Sequence, residues 1–316
     1  MKTFKEIKPG LLTRSSLALG FFDGVHPGHQ AVIKKAVDEA RVHDAVPAVI
    51  TFKEHPRALT LGKSPPLLTM PEQRLEICES LGIEAALLLS FTEELCRLSP
   101  QDYVHQVLLE AMGAVSLSVG YNHRFGKNRI GTPDLLREIG DKNGYVVHVA
   151  SEVLIDDEPV SSSRIRDSLA KGEVELTRRL LGRAYTVKGP VEKGDGRGRT
   201  IGFPTANVAT PPELILPANG VYCGFCNLTG GKTHPCVMNV GLRPTFGDSL
   251  QVRTEVHIFD FHDDIYDQEL NVRFTNFIRK EQKFSGIEEL KTQILKDCEM
   301  ARAHLALDGH ATAQFP

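Results

Sequence analysis

The sequence predicts an α/β protein of two domains, with a doubly wound parallel sheet in the first half and a small antiparallel β-barrel with a terminal helix in the second. Three observations predict this architecture. The chain has 316 residues, about twice the length of an average domain. In the first half, short apolar runs alternate with amphipathic stretches that are long enough for crossover helices. In the second half, runs rich in β-branched and aromatic residues are separated by Gly, Pro and Asp turns.

The predicted strands of the first half are short apolar runs. They lie at Ser16–Phe22, Pro47–Phe52, Ala85–Phe91, Val115–Gly120 and Tyr145–Ala150. Apolar residues at helical spacing predict helices between them, at His29–Val42, Pro71–Leu81, Pro100–Met112 and Thr132–Asn143. Because each helix returns the chain to the same end of the sheet, these strands should run parallel.

A further helix should end near Leu181, with Gly182 as its C-terminal glycine, so we predict domains at residues 1–183 and 184–316. The barrel strands are predicted at Ala184–Lys188, Val221–Leu228, Pro235–Val240, Val252–Phe261 and Leu270–Phe277. The terminal helix, Ser285–His304, should pack on the barrel through one apolar face. That face contains Ile287, Leu290, Ile294, Leu295 and Cys298.

Composition excludes several classes of protein. With 37 Lys and Arg residues against 40 Asp and Glu residues, the chain lacks the basic excess of a general nucleic-acid binder. It has no apolar stretch of about 20 residues, the length that a membrane helix needs. The six cysteines are scattered, and no segment resembles a secretory leader, so we expect reduced thiols and a cytoplasmic protein. Nothing in the sequence indicates an obligate protein partner.

The first group of candidate residues follows the first strand and opens the first helix. Glycines at such a turn let the backbone approach a ligand, and the amides of a helix N-terminus attract phosphate. His26 and His29 could neutralise charge that develops on a phosphorus atom. Two other interpretations remain open at this point: the histidines belong to a structural zinc site, or they only cap the helix.

Three further segments favour the phosphate interpretation. Arg164 and Arg166 follow serines at a predicted helix start, where cations are unfavourable unless an anion lies nearby. A simple serine cap with solvent-facing arginines is the alternative. His55 follows the second strand and Asn122 follows another, at the carboxyl ends where open α/β sheets bind ligands.

In their order along the chain, these four segments, which contain His26 and His29, His55, Asn122, and Arg164 with Arg166, resemble the nucleotidyltransferase domain of the bifunctional riboflavin kinase/FMN adenylyltransferase family, the prokaryotic-type FAD synthetases. The resemblance implies a Rossmann-like domain that adenylates FMN with ATP and releases pyrophosphate. It implies that His26 and His29 hold the ATP phosphates and that Asn122 orients FMN and the α-phosphate. The implied ATP-binding residues also include Gly20, Phe21, Asp23, Gly24, Ser162, Ser163, Arg164 and Arg166, and the implied FMN-binding residues are His55, Asn122 and Arg124. His123 stands where an apolar or aromatic residue is commoner in the family.

The second group of candidate residues begins with a glycine-rich segment, residues 189–202, that has basic residues between its glycines. Such a loop can fold over phosphates, although a mobile surface loop has the same composition. It is followed by Thr205 and Asn207, whose oxygens suit Mg²⁺ bound with a nucleotide, unless the segment is only a Pro–Thr turn. Glu255 shares a strand face with Arg253 and His257 and is a candidate general base; its alternative is a solvated carboxylate.

This half is similar to the riboflavin kinase domain of the same family. The similarity implies that Glu255 activates the 5′-hydroxyl of riboflavin while Thr205 and Asn207 bind Mg²⁺ and ATP. The implied ATP-binding residues are Gly189, Lys193, Gly194, Gly198, Thr205 and Asn207. Arg279 and Phe284 are implied to close on the flavin. The whole chain is thus expected to use ATP and Mg²⁺ to convert riboflavin to FMN and FMN to FAD.

Two alternatives stay open from the sequence. The first is a different nucleotidyltransferase to which an unrelated barrel is attached. The second is a flavin-binding protein without catalytic activity. The presence of Glu255, both histidines and Asn207 weighs against the second alternative, because a binding protein does not need a base.

Overall fold

The computed structural model describes residues 1–55, 64–194, 196–244 and 250–307. The chain divides into two compact units, the first comprising Met1–Ser162 and the second beginning at Ser163. The domain boundary that the sequence places at residue 183 stays a prediction.

A parallel sheet forms the centre of the first unit, as predicted. Its strands are β1 (Lys2–Phe4), β2 (Ser15–Leu19), β3 (Val46–Phe52), β4 (Ala85–Leu89), β5 (Ala114–Gly120) and β6 (Val146–Ala150), in the order β1-β4-β3-β2-β5-β6. All the described pairings in this sheet are parallel. The chain passes outward from β2 to β3 and β4 and then returns to β5 on the other side of β2. The carboxyl ends of β2 and β5 therefore flank the topological switch point, where such sheets bind ligands.

Helices cover both faces of this sheet. They are α1 (Pro27–Val42), α2 (Pro71–Ser80), α3 (Glu93–Arg97), α4 (Pro100–Asp102), which continues into a π-helix (Tyr103–Ala111), and α5 (Pro133–Asn143). Alternate residues of β2 contribute to two separate apolar cores: Ala18 packs with α1 and α2, whereas Leu17 and Leu19 pack with the π-helix and α5. A proline at the start of α1, α2, α4 and α5 marks where each helix begins. The predicted doubly wound arrangement is confirmed.

A short hairpin and two helices precede the barrel. The hairpin joins β7 (Leu154–Ile155) to β8 (Glu158–Pro159), and the helices are α6 (Ser162–Ala170) and α7 (Val174–Leu181). Helix α7 ends at Gly182, which has a φ of 73° and caps the helix as predicted.

The second unit is built on a closed antiparallel barrel, also as predicted. Its strands are β9 (Tyr185–Glu192), β10 (Ala206–Val208), β11 (Gly220–Leu228), β12 (His234–Pro244), β13 (Leu250–Ile258) and β14 (Glu269–Arg279), with a single helical turn, α8 (Arg197–Thr200), between β9 and β10. The closed order is β10-β13-β12-β11-β14-β9. Side chains such as Tyr222 and Phe274, whose rings meet edge to face with centroids 5.4 Å apart, fill the interior.

The terminal helix, α9 (Ile287–Leu307), packs on the outer face of the barrel, but the predicted contact face is partly wrong. Ile287 and Leu295 are 61% and 54% exposed, and Ala301 and Leu305 make the apolar contact instead. Asp297 is also buried on this face, because Arg279 of β14 holds its carboxylate through Nε and Nη2 at 2.9 and 2.7 Å. The ion pair therefore places Asp297 on the buried face of the helix, whereas a hydrophobic pattern would place this charged residue in solvent.

The cysteines are all free thiols. Cys223, Cys226 and Cys236 are fully buried in the barrel, and burial raises the pKa of the Cys236 thiol well above its usual value. They therefore pack as small apolar side chains. No helix of the described part of the chain has the length and apolar character needed to span a bilayer.

Candidate functional site

The first candidate site is the loop between β2 and α1, at the switch point of the sheet. Phe22, Gly24 and Val25 have φ angles of 55°, 82° and 39°, so the chain turns sharply through left-handed conformations. The buried side chains of Phe22 and Val25 anchor this turn in the core beside α1. Gly20 lacks a side chain where a Cβ atom would lie 2.8 Å from the Phe22 ring. The loop is therefore a tight turn held by its own apolar residues.

His26 and His29 stack at the N-terminus of α1. Their ring centroids are 3.7 Å apart with an angle of 22° between the planes, and the Phe22 ring meets His29 edge to face. His26 is the N-cap residue, but its side chain makes no capping hydrogen bond, which speaks against the capping interpretation. Within the residues that the structure describes, no group of three or more His, Cys, Asp or Glu side chains could hold a metal ion. Both imidazoles lie at the positive end of a 16-residue helix, which suits an anionic ligand.

Asp23 ties this loop to another part of the chain. Its buried carboxylate accepts hydrogen bonds from the backbone amides of Leu68 and Thr69 at 3.0 Å and from the Thr69 hydroxyl at 3.2 Å. The hydroxyl of Ser162, at the start of α6, donates to the Asp23 carbonyl at 3.0 Å. The structure thus brings Ser162 to the loop, and the Asp23 carboxylate fixes the loop to Leu68 and Thr69.

Arg74 lies under the same loop and was missed by the sequence analysis. Its guanidinium is fully buried and donates to the carbonyls of Phe52 and Thr69 at 2.7 and 3.3 Å. It also stacks over the Phe21 ring at 4.3 Å. Burial lowers the pKa of Arg74, while Asp23 opposes that shift. No local signal reveals this residue, because an arginine on an amphipathic helix is expected to face solvent.

The predicted FMN-binding residues lie near the carboxyl ends of β3 and β5. His55 contacts the Phe21 ring edge to face, with centroids 4.8 Å apart. Asn122 and Arg124 are exposed after β5, and Arg124 donates to the carbonyl of His123 at 3.1 Å. Burial, with smaller contributions from the nearby arginines Arg129 and Arg124, lowers the pKa of His123 to about 4, so this imidazole is neutral at pH 7.

The remaining residues predicted to bind ATP in the first site follow Ser162 on helix α6. Arg164 and Arg166 are half-buried, whereas Ser163 is exposed. All three lie within the first turns of the helix, where its dipole makes cations unfavourable without an anion.

The second candidate site lies on the outer face of the barrel. Glu255 on β13 stands opposite Asn207 on β10 and Asn239 on β12, so the three residues form one row across three strands. Thr254 and Val256 alternate with Glu255 and are fully buried, which leaves Glu255 on the outer face. The predicted base and a predicted nucleotide residue are therefore neighbours. The sequence analysis gave Asn239 no role.

The glycine-rich segment folds closely over the predicted Mg²⁺ residues. A Cβ atom on Gly194 would clash with the amide nitrogen of Asn207, and one on Gly198 would clash with the Phe203 carbonyl and lie 3.3 Å from the Thr205 hydroxyl. At Gly198 a larger residue would therefore have to displace the backbone, and at Gly194 it would have to displace the side chain of Asn207. The amide oxygen of Asn207 is buried and accepts no hydrogen bond from any residue in the described ranges.

Two other predicted ATP-binding residues lie nearby along β9 and its loop. A Cβ atom on Gly189 would clash with the carbonyl of Ala209, so this glycine permits the close approach of the chain after β10. Lys193 is exposed, and its ammonium group lies 6.0 Å from the centre of the Tyr266 ring.

The predicted flavin residues lie at the end of β14, which contains Arg279, and in the segment that follows it, which contains Phe284. Arg279 is engaged by Asp297 and lies 5.8 Å from the centre of the Phe284 ring. From the same segment, Glu281 reaches β12, where its carboxylate accepts a hydrogen bond from the Asn239 amide at 3.4 Å. This contact brings the segment to the row that contains Glu255.

Comparisons with known proteins match both halves of the chain. A family model described as FAD synthetase matches residues 9–164, and one described as riboflavin kinase matches residues 181–305. Relatives from Listeria monocytogenes and Bacillus subtilis are each 38% identical, over 292 and 293 residues that cover 92% and 91% of this chain and 92% of each relative. A relative from Escherichia coli K12 is 33% identical over 292 residues, 92% of this chain and 93% of its own. All three are described as bifunctional riboflavin kinase/FMN adenylyltransferase.

A solved structure matches along nearly the whole chain. It is described as a macrolide-efflux protein from Streptococcus pneumoniae, with a TM-score of 0.86 and 30% sequence identity. The match covers 96% of this chain and 99% of that one. The combination of parallel sheet and barrel is therefore found in an independently solved structure.

Proposed function

Because the chain belongs to the bifunctional riboflavin kinase/FMN adenylyltransferase family, we propose that it phosphorylates riboflavin to FMN and then adenylates FMN to FAD, with ATP as the co-substrate of both steps. The observation that carries the proposal is that the two family models match successive stretches of one chain. In the first stretch, the two histidines expected to hold the ATP phosphates stack on each other, and in the second the proposed base Glu255 stands opposite Asn207.

The kinase step is assigned to the outer face of the barrel. Glu255 accepts the proton of the riboflavin 5′-hydroxyl as the hydroxyl oxygen bonds to the γ-phosphorus of ATP and ADP departs. The position of Glu255 directly opposite Asn207 supports this assignment. Gly189, Lys193, Gly194 and Gly198 are proposed to surround the nucleotide, and Arg279 and Phe284 the flavin.

Thr205 and Asn207 are the residues proposed to hold Mg²⁺ with the nucleotide. Hydroxyl and amide oxygens suit this hard cation, and the buried amide oxygen of Asn207, without a hydrogen-bond donor among the described residues, fits the role of a ligand. Bound by these residues, Mg²⁺ would supply neutralisation of charge on the nucleotide phosphates. Gly194 approaches the Asn207 side chain so closely that a Cβ atom there would clash with its amide group.

The adenylation step is assigned to the loop at the switch point. There a phosphate oxygen of FMN bonds to the α-phosphorus of ATP, and pyrophosphate leaves. His26 and His29 stabilise the charge on the phosphates, while Ser162, Ser163, Arg164 and Arg166 hold the pyrophosphate side. His55, Asn122 and Arg124 orient FMN. Positioning and charge neutralisation suffice for such a displacement, so no covalent enzyme intermediate is needed.

These substrates are small molecules, and we propose no further partner. The six free cysteines fit the reducing cytoplasm, where ATP is also available.

The test follows flavins over time by chromatography after riboflavin, ATP and Mg²⁺ are added to the protein. We expect FMN first and FAD later. His29→Ala should stop the reaction at FMN. Glu255→Gln should prevent FMN formation and still allow FAD synthesis from supplied FMN. The assignment of two sites is wrong if either substitution abolishes both activities in a folded protein.

A further inference from the structure

His257 connects the strand of the candidate base with the segment that precedes the predicted Mg²⁺ residues. It lies two residues after Glu255 on the same face of β13. Its Nδ1 atom is 2.8 Å from the carbonyl oxygen of Pro204. The Phe203 ring meets the imidazole edge to face, with centroids 5.7 Å apart. The His257 side chain therefore contacts Phe203 and Pro204, two consecutive residues that form the corner of the chain before β10.

The chemistry of the contact fixes where the proton of the imidazole resides. A carbonyl oxygen only accepts hydrogen bonds, so Nδ1 must donate. The bond therefore requires the Nδ1–H form of the ring, and a side chain that places its donor elsewhere cannot replace it.

This corner leads directly into the residues proposed to bind the nucleotide. Thr205 follows Pro204, and β10 begins at Ala206, which pairs with Val256 between Glu255 and His257. On its other side the corner is tied to the glycine-rich segment, because the Phe203 amide donates to the Gly198 carbonyl at 2.8 Å. A shift of the corner would therefore move Thr205 relative to Glu255.

We propose that His257 is a positioning residue of the kinase site, whose Nδ1–H bond to the Pro204 carbonyl keeps Thr205 and Asn207 aligned with Glu255. The proposal rests on the proposed kinase function. His257 acts through the corner and not by contact with the reacting atoms.

The experiment compares two substitutions that differ in where they place a hydrogen-bond donor. The side-chain amide of His257→Asn lies close to the position of Nδ1, whereas that of His257→Gln lies near Nε2. We expect His257→Gln to raise the KM for ATP in FMN formation about fivefold to tenfold, the effect of losing one hydrogen bond. We expect His257→Asn to recover most of this loss.

Two readouts separate positioning from a general loss of structure. FAD synthesis from supplied FMN should be the same in both variants and in the unsubstituted protein. Without any ligand, the backbone amides of residues 203–208 should exchange with deuterium faster in His257→Gln than in His257→Asn. The inference is overturned if the two variants have equal KM values for ATP or equal exchange rates, whether both are impaired or neither is.

The outcome also distinguishes this inference from the proposed function. If the unsubstituted protein forms no FMN, the proposed function fails. If it forms FMN and the two variants behave alike, only the role of His257 fails.

Discussion

The absence of a side chain at Gly194 leaves room for the side chain of Asn207 in the proposed kinase site. Gly194→Ala would place a Cβ atom against the amide of Asn207 and displace that side chain. Because a displacement of about 1 Å in a positioned group can cost roughly a hundredfold in rate, we expect kcat/KM for FMN formation to fall by about 10- to 100-fold. FAD synthesis from FMN, measured in the same preparation, should not change.

Gly286→Ala is the matched control for this prediction. A Cβ atom at Gly286 would meet no atom within 4 Å, and this residue needs no left-handed backbone. Equal kinase rates for the two variants would contradict the role given to the glycine-rich segment.

Individual residues also show where sequence reasoning stops. His26, His29, Asn207 and Glu255 were recognisable because each lies in a motif with fixed spacing, and the structure places the two pairs close together. Arg74 carries no such signal: besides the nearby carbonyl of Thr69, its guanidinium donates to the carbonyl of Phe52 in β3, 22 residues earlier in the chain. Contacts between distant segments depend on how the chain packs, which local patterns do not encode.

The elements were predictable wherever they were long enough to show a period. Strands and helices of the sheet unit begin and end within a few residues of their predicted limits. The shortest elements escaped prediction: strands β1, β7, β8 and β10 have three residues or fewer, too few to establish alternation, and helix α3 has only five. The predicted contact face of α9 was partly wrong for a different reason. A buried ion pair with β14 orients the helix, and the spacing of hydrophobic residues gives no sign of that ion pair.

That ion pair should contribute measurably to the stability of the barrel unit. Asp297→Asn removes the charge that compensates the largely buried Arg279, so we expect the free energy of unfolding to fall by about 1–3 kcal/mol in urea denaturation. Asp260→Asn is the control, because Asp260 pairs with Arg302 at the surface and asparagine tolerates its left-handed backbone. The interpretation fails if both substitutions shift the denaturation midpoint equally.

At the scale of the whole molecule, the two proposed activities rely on residues that are far apart in the chain. His26 and His29 lie in the first compact unit, and Asn207 and Glu255 lie in the second. We expect an equimolar mixture of His29→Ala and Glu255→Gln proteins to convert riboflavin to FAD, because FMN made by the first variant can diffuse to the second. Chromatography of the flavins checks this expectation, with each variant alone as its control. Failure of the mixture, when each variant retains its one activity, would show that FMN must be passed on within a single chain.

The barrel closes where β9 meets β10, and only two residue pairs join these strands, whereas eight pairs join β11 to β14. The glycine-rich segment connects the two strands of this short seam. Local opening costs less where fewer backbone hydrogen bonds must break. The short pairing of β9 with β10 can therefore open locally while the long ladders stay intact. Local opening of the barrel is thus easier at this junction, where Asn207 lies, than along the ladder between β11 and β14.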